Sequence, residues 1–144
     1  MMIPARHHKK LSGKTLFYLM ALTLFFQAGP VRAADTLVDI FFLPHRPAQA
    51  VVSEAGKVAA EFHNIVIKKH SFEDPGTDKL LKKYNLTGHM PVAIFINGQN
   101  SFTVNGKKIS LRNFPKGDAF VPMYSGEWNY ADLRVILQEV SGEK

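Results

Sequence analysis

The sequence predicts an α/β domain, and three features of its pattern predict it. Thr36–Phe42 (TLVDIFF) and Val92–Ile96 (VAIFI) are almost unbroken apolar runs, as strands buried on both faces require. Between them, Val51, Val52, Ala55, Val58, Ala59 and Phe62 recur at helical spacing and make one apolar stripe. A hairpin signal and a last amphipathic helix follow. Strands alternating with helices place the chain in the α/β class.

A chain of 144 residues suffices for one domain and its core, and 46% hydrophobic with 21% charged residues is a globular composition. The net charge of +6 invites a nucleic-acid reading. Its distribution argues against one. Residues 1–33 hold Arg6, Lys9, Lys10, Lys14 and Arg32 and no acid, so the remainder is nearly neutral and offers no footprint for a phosphate backbone. There is no cysteine, which excludes disulfides, thiolate metal sites and thiol catalysis.

Residues 1–33 read as a secretory signal. His7, His8, Lys9, Lys10 and Lys14 form a positive start, and Leu16–Ala28 is an apolar run of 13 residues. Gly29-Pro30 breaks it, and Val31-Arg32-Ala33 precedes an expected cleavage before Ala34. The run is short of the ~20 residues that span a bilayer, so membrane contact is expected only if the segment stays uncleaved as an anchor. The domain, residues 34–144, is then periplasmic or secreted.

The first strand, Thr36–Phe42, carries Asp39 within its apolar run. Pro44 and Pro47 bracket a turn, and Pro47 fits a first helical turn, where its missing N–H costs nothing. The helix is expected to run to about Phe62, with Gly56 weakening it. Asn64–Lys68 reads as a short strand and Lys69–Gly76 as a polar loop. Thr77 is placed to cap a helix over Asp78–Asn85, with Leu80, Leu81 and Tyr84 inward. Pro91 is tolerated because it precedes the ladder of the next strand, which Asn97-Gly98 closes. Asn105-Gly106 predicts a hairpin over Ser101–Leu111 with Phe102 opposite Ile109 and with Val104 and Leu111 on the same face. Arg112–Glu127 reads as a long connection. Asn129 and Asp132 make a capping box, Trp128 and Leu133 a hydrophobic staple, and Leu133, Ile136, Leu137 and Val140 the inward stripe of the last helix.

This order of elements resembles the thioredoxin-like family over about residues 36–141. Val38-Asp39-Ile40-Phe41 resembles the family's strand with a buried aspartate. Where that family carries Cys-Gly-Pro-Cys, this chain has His45-Arg46-Pro47-Ala48. Gly88-His89-Met90-Pro91 resembles the Gly-x-Pro region, and Asn97-Gly98 the turn after the next strand. The resemblance implies a central mixed β-sheet flanked by helices, here with an extended C-terminal hairpin region. It also implies a cis Met90–Pro91 bond and an Asp39 carboxyl lying beneath Ala48. The family's thiol chemistry is not carried over, since neither His45 nor Ala48 can form a mixed disulfide. No enzymatic activity and no cofactor are expected.

What survives without cysteine is a corner built from Pro44, His45, Arg46, Pro47, Met90 and Pro91, where such domains hold extended peptides. The expectation is therefore a non-covalent peptide- or protein-binding module, with the hairpin as a second surface. His45 fits a ligand or acid–base role, but nothing nearby in sequence completes a triad, and an exposed polar turn residue explains it as simply. A copper-binding protein is the alternative: imidazole and thioether from His45, His89, Met90 and Met123 suit that metal. No metal-ligand spacing supports it, however, and His63 and His70 fall elsewhere. An acid–base enzyme using Asp39 and His45 lacks a nucleophile or phosphate loop. The scattered lysines read as solvated surface.

Overall fold

The computed structural model describes residues 35–86 and 90–143. Residues 1–34, over which a signal segment and its cleavage are expected, and Gly88 and His89 lie outside them. The described chain is mixed α/β, with a mixed three-stranded sheet and three helices.

Strand β1 (Thr36–Phe42) lies in the middle of the sheet, parallel to β2 (Ile65–Ser71) and antiparallel to β3 (Val92–Ile96). A parallel neighbour needs a crossover, and helix α1 (Arg46–Ala59) supplies it. The apolar stripe of α1 is buried at Ala48, Val51, Val52, Ala55, Val58 and Ala59. The helix ends earlier than expected. From Ala60 to Phe62 the chain tightens into a turn, with Glu61 N–H donating to Val58 O and Phe62 N–H to Ala59 O, both at 3.2 Å. Gly56 stands in the helix interior, where it destabilises by about 0.5–1 kcal/mol relative to alanine.

Strand β2 runs on through Lys69, His70 and Ser71, residues read from sequence as loop. Register with β1 is the cause, since Ile40, Phe41 and Phe42 offer them ladder partners. The next helix, α2 (Asp78–Lys83), is also shorter than expected; Asn85 beyond it is left-handed, at φ 48°. Thr77 does not cap it. Its side chain is buried without a capping bond, and Asp74 instead accepts from Gly76 N–H at 2.9 Å to start the turn before α2.

Strands β4 (Ser101–Val104) and β5 (Lys107–Ser110) form the expected hairpin, with Phe102 opposite Ile109. Asn105 and Gly106 take φ of 50° and 78°, both in the left-handed region that a two-residue turn of this kind demands. Beyond β5 the chain covers the outer edge of β3: Ile94 N–H donates to Leu111 O at 2.9 Å and Asn113 N–H to Val92 O at 2.8 Å. Helix α3 (Tyr130–Ser141) has the full capping box of Asn129 and Asp132. Leu133, Ile136 and Leu137 are buried, whereas Val140 at its end is exposed.

The sheet separates two apolar clusters. Val38 and Ile40 of β1 point to α1 and α3 and share a core with Val92, Ile94, Ile96, Leu111 and Trp128. Phe41, alternating to the other face, joins Ala93, Phe95, Tyr84 and Leu86.

Candidate functional site

The end of β1 meets the start of β3 at a backbone bond from Leu43 N–H to Pro91 O of 3.0 Å. Pro44 then turns the chain, and His45 N–H donates back to Leu43 O at 2.8 Å. His45 is extended and stands at the cap of α1, where its side chain makes no capping bond. Arg46 and Pro47 begin the helix, and the first turn holds no acid. The helix axis therefore directs free amide dipoles toward this corner.

A cleft of about 240 Å³ opens there, lined by Leu43, His45, Pro47, Ala48, Pro91, Phe114 and Tyr124. Of the residues singled out from sequence, His45, Pro47 and Pro91 face it together. Pro44, Arg46 and Met90 do not line it. Pro44 is half-buried in the turn, Arg46 is exposed, and Met90 packs on the opposite cluster beside Phe41 and Tyr84. His45 and Met90 therefore do not converge. Among the described residues there is no cluster of three or more histidine, aspartate or glutamate side chains able to hold a metal ion, and no helix long and apolar enough to cross a membrane.

The peptide bond between Met90 and Pro91 is trans, as are all those among the described residues, which corrects the cis expectation. Trans is the ordinary preference of an X–Pro amide by about 0.5–1 kcal/mol. Here the chain passes into β3 and still presents Pro91 O to Leu43 without reversing that preference.

Phe114 and Tyr124 were not anticipated. They come from the connection between β5 and α3, which is fixed by its backbone. Phe114 N–H donates to Tyr124 O at 2.9 Å, and Gly126 N–H to Phe114 O at 2.7 Å. Gly126 is required by close approach, because a Cβ there would stand 2.7 Å from Phe114 O and 2.9 Å from Trp128 Cδ1 and collide with Arg112 O. The indole N–H of Trp128 donates to the carbonyls of Arg112 and Asn113, each at 3.2 Å. Trp128 is thus a buried fastener of this connection as well as a neighbour of Leu133 in the core.

A second hollow, of about 270 Å³, adjoins the cleft across Pro47 and Phe114 and reaches Val51, Glu54, Asp118, Phe120 and Tyr130. Burial first, then the charges of Asp118 and Glu54, push the Tyr130 phenol up to about 12. Phe120 (88% exposed), Val121 (46%) and Met123 (73%) carry apolar surface outward from the same connection.

Asp39 lies on the other face of the sheet from Ala48, not beneath it. It is 4% exposed and is held by two donors. His70 Nε2 is 2.8 Å from its Oδ1, and Tyr84 OH donates to Oδ2 at 2.8 Å. Parallel register brings His70 there: Lys68 is the partner of Asp39, and two residues on, His70 points to the same face and stacks on Phe41. Burial, followed by the hydrogen bond and charge of Asp39, pushes the Tyr84 phenol up to about 12. An aspartate inside an apolar strand is itself a signal that a buried partner must exist. This network ties β1, β2 and the end of α2 together and does not reach the cleft.

No protein-family model, curated protein or solved structure matches the chain.

Proposed function

We propose that the chain is an exported thioredoxin-like domain without thiol chemistry, and that it binds an extended peptide non-covalently at the corner of His45, Pro47 and Pro91. The sheet order β2-β1-β3, with one parallel and one antiparallel pair and helices on both faces, supports the fold reading. The trans proline and the placement of Asp39 are departures from that family's pattern.

The observation that carries the binding reading is the pair of adjoining hollows, about 240 and 270 Å³, on either side of Pro47 and Phe114. Each is smaller than the ~300–1,000 Å³ pockets that enclose drug-sized ligands. Each suits a single side chain, and two in a row suit an extended segment crossing the Pro47–Phe114 rim. Apolar walls favour apolar side chains, while Glu54 and Asp118 in the second hollow disfavour an acidic one.

The test is an array of extended peptides read against the wild-type chain and against Phe114→Ala and His45→Ala. Peptides with an apolar residue for the first hollow are expected to bind, and Phe114→Ala to weaken them about tenfold, as removal of a central aromatic anchor does. If both variants select the same peptides with unchanged affinity, the cleft is not the binding site.

A further inference from the structure

The two edges of the sheet are treated differently. That of β3 is covered by Leu111–Asn113, whereas β2 is outermost and, among the described residues, has no strand on its other side. The parallel ladder fixes which of its backbone groups are free. Asn64 O accepts from Thr36 N–H and Phe72 N–H donates to Phe42 O, so even-numbered residues bond to β1. The backbone groups of Ile65, Ile67 and Lys69 therefore point off the edge.

Two of these residues also wall a groove. Ile67 and Lys69, with Phe42 beside them, face Gln49, Val52, Ser53, Gly56 and Lys57 of α1 across a groove of about 450 Å³. Its lining is mostly apolar, and its charged groups are Lys69 and Lys57, the latter paired with Glu54 at 2.6 Å. Gly56 keeps it open at a cost to helix stability that the packing does not demand. A Cβ there would meet only Lys69 Nζ, at an ordinary 3.9 Å. Lys68 marks the other side of the same edge, and neither Lys68 nor Lys69 has an acidic partner among the described ion pairs.

We propose that the free edge of β2 is a docking site for an extended acidic peptide segment, which adds to the sheet as a fourth strand and lays alternate side chains into the groove beside α1. Main-chain bonds to Ile65, Ile67 and Lys69 supply the pairing, and alternate pockets supply selection. The charge identifies the occupant. Edge lysines repel basic strands and a second copy of this chain, whose own Lys68 and Lys69 would meet them at the seam. An acidic strand turns the same charges into attraction on both sides of the edge. This surface is separate from the cleft at His45 and does not depend on it.

The probe is a capped, labelled peptide of alternating valine and glutamate, with lysine in place of glutamate as its control. Anisotropy is expected to show binding of the acidic peptide alone, weakened by salt. Lys69→Glu should weaken it about tenfold or more and move preference to the basic control. Hydrogen exchange should show new protection at the amides of Ile65, Ile67 and Lys69. Gly56→Ala should raise the melting temperature while weakening the peptide, which separates loss of the groove from loss of the fold. Equal binding of both peptides, indifference to Lys69→Glu, protection at the His45 corner instead, or dimerisation of the chain through β2 would each overturn the proposal.

Discussion

Replacing Asp39 by alanine removes the acceptor that His70 and Tyr84 share. Both bonds are 2.8 Å long, and the carboxylate is 4% exposed, so little water is at hand to replace them. A hydrogen bond to a charged group contributes about 1.5–3 kcal/mol. Removing the shared acceptor leaves the Tyr84 hydroxyl and the His70 ring nitrogen without it, at about 1–3 kcal/mol for each orphaned group. Asp39→Ala is therefore expected to lose about 2–6 kcal/mol, a large share of the ~5–15 kcal/mol that holds a typical domain together. Tyr84→Phe keeps the ring against Phe95 and removes one bond, for a loss of about 1.5–3 kcal/mol. The double variant should fall short of the sum, since both changes delete the same Tyr84–Asp39 bond. Urea unfolding followed by tryptophan fluorescence measures this. Trp128 is the sole tryptophan, fully buried in the cluster on the opposite face, so its signal reports loss of the whole domain. Asp39→Ala losing less than about 1 kcal/mol with an unchanged urea slope would refute the reasoning.

Alkali should destabilise the chain through two phenols, that of Tyr84, which is buried, and that of Tyr130, which is half-buried. Tyr84 and Tyr130 are raised from 10.0 to about 12, so between those values the folded chain retains protons that the unfolded chain releases. Their contribution is thus complete below about pH 10 and lost as pH rises to about 12; Tyr84→Phe should flatten that loss in a pH series of urea midpoints. Gly126→Ala should disrupt the connection that supplies Phe114 and Tyr124, because the new methyl collides with backbone carbonyls. The expected result is a loss of about 1–3 kcal/mol, the range for overpacking, read by thermal unfolding, together with loss of peptide selection at the cleft.

Much of the architecture could be read locally. The apolar runs of β1 and β3, the stripe of α1, the Asn105-Gly106 hairpin and the Asn129–Asp132 capping box are each encoded within a few residues. The features that escaped depend on distant pairing. Lys69, His70 and Ser71 look like loop until β1 offers them a ladder, and His70 reaches Asp39 only through that register. Half of the cleft was visible, because His45 and Pro47 sit beside Pro91 for reasons of turn chemistry. The other half, Phe114 and Tyr124, comes from a connection without periodicity, held in place by Gly126 and the Trp128 indole.

Ala48, at the base of the cleft, has a further consequence. Its methyl group gives an incoming chain nothing to react with. For a chain bound there as proposed, position 48 forms no covalent bond, so that residue neither traps nor ejects an intermediate. Occupancy then follows free concentration by simple mass action.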